Sequence, residues 1–289
     1  MMSRMGNAVL RRILLVLAFV ALAAGCASFE RPSKPAAVPE VRPGILAGYL
    51  SLQALPNSLA LLPLPPAAGL AALALDKEIS RKNLAWCGTP RWKLAAEDAD
   101  LIFPRAAGTF SCALNAPITE QDTPRLYLLL RRILTDAGLS TYRAKQKYQR
   151  VRPFVMNKKP TCTPGEEDHL TKDGSYPSGH SAIGWAWALI LCEIAPEQTD
   201  AILARGRAFG ESRMVCNVHW QSDVVEGRLM GAATIARLHA DPQFRADVEA
   251  VKAELAAVRA KGLKPTRDCK VEAEALAYHM SRGTRGQTR

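Results

Sequence analysis

The stretch Ala182-Ile183-Gly184-Trp185-Ala186-Trp187-Ala188-Leu189-Ile190-Leu191-Cys192-Glu193-Ile194 constrains the fold of this chain more than any other. It is too long for one strand, long enough for a helix, and stopped by Pro196. It is apolar on every side, so a helix here belongs inside a bundle rather than on a surface. The segment feeding it, Asp173-Gly174-Ser175-Tyr176-Pro177-Ser178-Gly179-His180, ends in a tight turn that sets an imidazole at the helix start. Helix N-termini present unpaired N–H groups and partial positive charge, and a glycine lets backbone approach a bound anion closely. The pattern reads either as chemistry on a phosphate or as a capped core helix with an incidental histidine.

The remaining chain supplies helices to surround this one. Helical composition recurs at 76–86, 92–103, 125–137, 141–151, 198–209, 220–238 and 241–260. Residues 45–75 are apolar but broken by Pro56, Pro63, Pro65 and Pro66, which predicts short helices and extended pieces over one side of the core. No alternating strand pattern of any length is present. The fold class is therefore all-α, a single compact helical bundle around a buried central helix at about 182–194. With 48% hydrophobic residues among 289, one large domain can bury a real core. We place that domain at 45–262, after a tether at 26–44 with four prolines and before a tail at 263–289 that is disordered from Met280.

The first twelve residues carry Arg4, Arg11 and Arg12 and no acid, and residues 13–24 are uniformly apolar. That is a cleaved signal peptide at 1–25, too short for a membrane span. Its end, Leu22-Ala23-Ala24-Gly25-Cys26, resembles the lipobox of bacterial lipoproteins, with Ala23 where that motif usually has leucine. The resemblance implies lipidation at Cys26 and membrane contact only through an N-terminal lipid anchor; ordinary cleavage after Ala23 is the alternative. Either way the chain is expected outside the cytoplasm, in the periplasm and anchored to the outer membrane of a Gram-negative bacterium. Beyond Cys26 lie Cys87, Cys112, Cys162, Cys192, Cys216 and Cys269, enough for three disulfides in 15 arrangements, with Cys192 also readable as a buried thiol. No C-x-x-C pair supports a zinc site. Losing the three leader arginines takes the formal charge from +11 to +8. The basic residues are scattered without aromatic interleaving, which favours small anionic substrates over nucleic acid.

Three clusters carry candidate chemistry. Lys145 and Arg152 are seven residues apart, which on one helix places both on the same face. Two like charges there repel unless water or an anion lies between them, although a solvated face has the same pattern. Ser178, Gly179 and His180 open the central helix. Ser212-Arg213 is followed by His219 and Asp223, four apart, so on a helix the carboxylate reaches the imidazole. A carboxylate on one ring nitrogen fixes the tautomer and frees the other lone pair, as a nucleophilic or basic histidine requires. A structural His–Asp pair reads identically.

Taken together, Lys145-x6-Arg152-Pro153, Pro177-Ser178-Gly179-His180 and Ser212-Arg213-x5-His219-x3-Asp223 resemble the signature of the phosphatidic acid phosphatase type 2 superfamily, which includes the vanadium haloperoxidases. Gly88 to Trp92, Phe110 to Leu114, Arg152-Pro153-Phe154, Asp173 to His180, Phe209 to Arg213 and His219 to Asp223 are similar to the bacterial class A non-specific acid phosphatases, over roughly residues 46–240. The resemblance implies His219 as nucleophile, Asp223 as its orienting carboxylate and His180 as the acid that protonates the leaving alcohol. It implies that Lys145, Arg152, Arg213, the Ser178 hydroxyl and the Gly179 N–H hold the phosphate oxygens, with no metal and no cofactor. Small phosphomonoesters are then the substrates, inorganic phosphate and vanadate the inhibitors, and activity peaks at acid pH. Composition permits a homo-oligomer without requiring one. A nucleotide or pyrophosphate hydrolase, a haloperoxidase and a non-catalytic envelope lipoprotein are the alternatives. His169, His239 and His279 fall outside the signature and read as surface residues.

Overall fold

A computed structural model describes residues 37–284 of the chain. The expected signal peptide, the lipobox with Cys26 and most of the expected tether lie outside the described residues. Helices are joined by irregular segments, and strands among the described residues occur at the start, where β1 (Glu40–Arg42) and β2 (Ile45–Leu46) pair antiparallel across Gly44 at φ +78°. This hairpin begins inside the stretch assigned to the tether and is too short to leave an alternating pattern. The Leu46 carbonyl accepts the Thr135 hydroxyl at 2.7 Å, which ties the hairpin to the bundle.

Two helices, the short apolar α1 (Ser58–Leu61) and the partly charged α2 (Ala71–Asn83), lead into α3 (Pro90–Glu97), capped by the Thr89 hydroxyl on Trp92 N–H. The short α4 (Ser111–Leu114) precedes α5 (Pro124–Ser140), one face of which is buried from Leu126 to Ala137. Three short helices, α6 (Tyr142–Tyr148), α7 (Pro153–Asn157) and α8 (Glu167–Lys172), then bring the chain to the central helix α9 (Gly179–Ile194). Helices α10 (Thr199–Val215), α11 (Gln221–Leu238), α12 (Pro242–Ala260) and α13 (Cys269–Thr284) complete the bundle.

The predicted helix at 141–151 ends early. Gln149 adopts φ 42°, in the left-handed region, and closes α6 through its N–H on the Lys145 carbonyl. Lys145 and Arg152 are therefore not on one helix: Arg152 is the extended residue before α7. The helix expected at 92–103 stops at Glu97, whereas α10 runs on from the expected 209 to Val215.

The central run behaves as its composition demands. Helix α9 is enclosed by α5, α10 and α11, with Ala182, Ala186, Trp187, Ile190 and Leu191 buried and Trp187 Nε1 donating to the Leu130 carbonyl at 2.9 Å. Two glycines allow its neighbours to approach. A Cβ on Gly184 would stand 2.1 Å from the Phe209 ring, and one on Gly231 would stand 2.4 Å from the Ala182 carbonyl. Ser178 caps α9, its hydroxyl accepting Ser181 N–H at 3.2 Å.

Among the described residues the cysteines form two disulfides, Cys112–Cys269 and Cys162–Cys216, and Cys87 and Cys192 are free. The first attaches α13 to the bundle. The segment expected to be a tail is thus partly helix, continuing past Met280 to Thr284. It is also held by charge: buried Glu272 lies 3.4 Å from Arg205, which pairs with buried Asp98. No described helix is long and apolar enough to cross a membrane.

Candidate active site

The three sequence clusters converge on one cavity of about 630 Å³, lined by Lys145, Arg152, Gly179, His180, Arg213 and His219 together with Asp173. Backbone hydrogen bonds assemble it. The Arg213 carbonyl accepts the N–H groups of Val218 and His219 at 3.1 and 3.2 Å, folding the chain after α10 back over its last turn. Ser178 N–H donates to the Asp223 carbonyl at 2.9 Å, which fastens the start of α9 to the start of α11. Phe154 N–H donates to the Asn217 carbonyl at 3.1 Å, bringing in the segment that carries Arg152.

His219 precedes α11 rather than lying in it, so the His–Asp contact is not the helical i,i+4 pair that the spacing predicts. Asp223 occupies the third position of α11 and its Oδ2 accepts Trp220 N–H at 2.8 Å. The same oxygen lies 3.3 Å from His219 Nδ1. The other ring nitrogen, Nε2, lies 3.0 Å from Arg152 Nη1. A guanidinium has only donors, so Nε2 presents its lone pair and the ring proton belongs on Nδ1, facing the carboxylate. Burial, reinforced by Arg152 and Lys145, holds His219 well below the usual histidine range, and the ring is neutral through mildly acid pH.

Behind Asp223 stands a network that the sequence patterns do not reveal. Arg150 Nη1 donates to Asp223 Oδ1 at 2.6 Å and its Nη2 donates to buried Asp76 at 2.7 Å. Ser222 closes the loop, its N–H and hydroxyl donating to Asp76 at 2.9 and 2.6 Å. Arg150 opposes the burial that raises Asp223 above the ordinary carboxylate range. Arg150 was visible between Gln149 and Arg152, but nothing in the sequence points to Asp76, 74 residues away from it.

His180 lines the same cavity. Its Nε2 is 2.9 Å from the Ala99 carbonyl. A carbonyl only accepts, so Nε2 carries a proton and Nδ1 is the nitrogen left to exchange one. The adjoining Asp98 accepts the Ser212 hydroxyl at 2.5 Å and pairs with Arg205, which fixes the strip of chain that aligns the ring. Burial, then the charge of Arg213, holds His180 well below its usual value.

The cations differ in how they are held. Lys145 Nζ donates to the Gly174 carbonyl at 2.6 Å, and burial beside Arg152 lowers it to about 8. Arg152 donates to the carbonyls of Leu170 and Val218 at 2.8 and 3.0 Å. Arg213 is 0% exposed, and its Nε and Nη1 have no hydrogen-bond partner among the described residues. Ser178 caps its helix, its hydroxyl accepting from Ser181 N–H and Ser181 Oγ, which leaves its own proton to donate. His169 is exposed but lines the cavity mouth, while His239 pairs with Glu193 at 3.2 Å on the surface. The side chain of His279 lies outside the described residues.

Residues 126–247 match the PAP2 superfamily model, which spans the lysine, both histidines and every cation of the cavity named above. The chain is 44% identical to a non-specific acid phosphatase of Providencia stuartii over 212 residues, 73% of this chain and 86% of that protein. It is 45% identical to a non-specific acid phosphatase of Salmonella typhimurium over 69% of this chain and 80% of that protein. This chain belongs to the class A acid phosphatases of the PAP2 superfamily. An acid phosphatase of Zymomonas mobilis is 40% identical over 73% of this chain and 80% of that protein. The all-α bundle of this class A acid phosphatase is thus the fold that the sequence patterns predicted. In a phosphatase of this family, a cavity with three cations and two neutral imidazoles is suited to holding a phosphoryl group and attacking it.

Proposed function

We propose that the chain hydrolyses small phosphomonoesters through a phosphohistidine on His219, without a metal. The observation that carries this reading is Arg213, a buried guanidinium with two N–H groups unpartnered among the described residues, in the cavity that also holds His219. An anion is what such a group lacks, and a doubly charged phosphoryl group supplies it.

Lys145, Arg152, Arg213 and the first-turn N–H of Gly179 surround the three non-bridging oxygens. Arg152 turns its Nη1 from His219 Nε2 to an oxygen, which releases the lone pair. Nε2 then attacks phosphorus in line, forming a P–N bond as the P–O bond to the alcohol breaks. Asp223, held by Arg150, stabilises the charge that the ring acquires. His180 delivers its Nδ1 proton to the departing oxygen, then takes one from the water that hydrolyses the phosphohistidine. In the empty cavity His180 is held neutral, so the substrate's own negative charge must help it keep that proton. Phosphate and vanadate inhibit by occupying the same oxygen positions.

The pH dependence comes from these groups. His219 is depressed and stays neutral at mildly acid pH, where His180 is best able to carry a proton. Lys145, lowered to about 8, loses its charge above that pH and with it one phosphate contact. We expect kcat/KM for p-nitrophenyl phosphate to be highest on the acid side and to fall as pH rises through about 8, since kcat/KM reports the free enzyme. A rate still climbing beyond that point contradicts the assignments. Steady-state hydrolysis with and without EDTA tests the metal-free reading, and loss of turnover on chelation would sink it. The cavity, at about 630 Å³, also has room for a nucleotide, so rates on ATP and pyrophosphate decide between a monoesterase and a phosphoanhydride hydrolase.

The enzyme works in the periplasm, held to the outer membrane by a lipid on Cys26. The leader and lipobox pattern supports this, as do two disulfides, which persist in oxidising compartments. Cys26→Ser should move activity from the membrane fraction to the soluble one. Wild-type activity already soluble would favour ordinary cleavage after Ala23.

A further inference from the structure

Asp100, Glu166 and Asp173 line the cavity, and the phosphohistidine mechanism gives none of them a task; among the described residues, Asp173 is the one ion-paired to the phosphate-binding cations. Asp173, the residue that ends α8, lines the cavity. Its Oδ2 lies 3.1 Å from Lys145 Nζ and 3.0 Å from Arg152 Nη2, so a single oxygen bridges two of the groups that phosphate needs. Its side chain is 30% exposed, against 6% for Lys145 and 2% for Arg152, so it is the one of the three open to solvent.

A carboxylate here either holds the two cations in place or competes for them. The backbone already does the holding. Lys145 donates to the Gly174 carbonyl, and Arg152 donates to the carbonyls of Leu170, Asp173 and Val218. These contacts survive without the Asp173 side chain. Arg213 has no ion pair among the described residues and keeps its unpartnered N–H groups there. The bridging oxygen thus meets donors on Lys145 and Arg152 that would otherwise face an incoming anion.

Resting on the phosphate reading of this site, we propose that Asp173 is an internal competitor for phosphate. It occupies Lys145 and Arg152 in the free enzyme and is displaced when a phosphoryl group enters. The consequence is weaker phosphate binding: the arriving dianion must break two ion pairs and then tolerate a nearby like charge. Weak binding of free phosphate is useful here because phosphate is the final product and blocks the next turnover. Asp173 is a specificity-setting residue under this proposal; it does not touch the reacting atoms.

The sign of one measurement separates the two roles. Inorganic phosphate is titrated calorimetrically into the mature wild-type chain, Asp173→Asn and Asp173→Ala, with the phosphate inhibition constant for p-nitrophenyl phosphate hydrolysis measured alongside. Thermal unfolding confirms that each variant folds. Removing a like charge at this range should tighten phosphate binding about ten-fold in both variants, with KM falling in parallel. The asparagine keeps an acceptor oxygen and the alanine does not, so a shared gain isolates the charge. Unchanged or weaker phosphate binding in the variants overturns the proposal, because a carboxylate that only positions Lys145 and Arg152 would loosen the site on removal. Wild-type protein that binds no phosphate overturns the functional reading itself. Wild-type protein that binds and hydrolyses while the variants bind no tighter overturns only the role of Asp173.

Discussion

On the proposed mechanism, His219→Ala should lower kcat for p-nitrophenyl phosphate by roughly 10⁴-fold or more, because the attacking nitrogen is removed. Phosphate affinity should change little, since Lys145, Arg152 and Arg213 remain. The lost lone pair is the one on Nε2, which Arg152 faces at 3.0 Å. Rapid quenching of the wild type with a radiolabelled substrate should trap an acid-labile phosphoprotein that the variant does not form. Residual turnover within about ten-fold of wild type would mean that water attacks phosphorus directly and His219 only assists.

Arg213→Met is expected to move activity and stability in opposite directions. The guanidinium is buried with two N–H groups unpartnered among the described residues, and burial lowers it from the ordinary arginine value to about 10. A basic group whose pKa falls on folding costs stability at every pH below the folded value, here below about 10. The shift corresponds to about 3 kcal/mol as an upper bound, so urea denaturation at neutral pH should show the variant more stable than wild type. Transition-state stabilisation is lost at the same time. Removing one preorganised donor of this kind typically costs about 10²–10³ in kcat. A variant both less stable and fully active would show that Arg213 is a structural cation instead of an oxygen holder.

The two variants expose a division of labour in the bundle. Helix α9 and its neighbours bury apolar surface and supply the stability. The segments at its N-terminal end gather Lys145, Arg152, Arg213, His180 and His219 in a space where burial displaces each of these five from its ordinary pKa. Collecting like charges in a buried cavity is unfavourable without an anion, and carbonyls from Gly174, Leu170 and Val218 keep that cost bearable. Behind His219, Asp76 and Arg150 spread the charge of Asp223 over a closed network, so the carboxylate beside the ring is itself oriented.

Local chemistry along the chain settled the central helix, because a run apolar on every side has nowhere to go but the interior. It also settled which residues meet at the site, since three clusters of unusual composition share a use only if they converge. It did not settle how they meet. The spacing of Lys145 and Arg152 suits one helix, yet the left-handed Gln149 separates them and a shared cavity reunites them. His219 and Asp223 meet across a helix start rather than along a helix, and Ser178 serves its own helix as a cap. Asp76, Arg150 and the bridging place of Asp173 were decided by tertiary structure alone. A carboxylate's role depends on which cation lies about 3 Å away, and here that cation comes from a segment tens of residues distant.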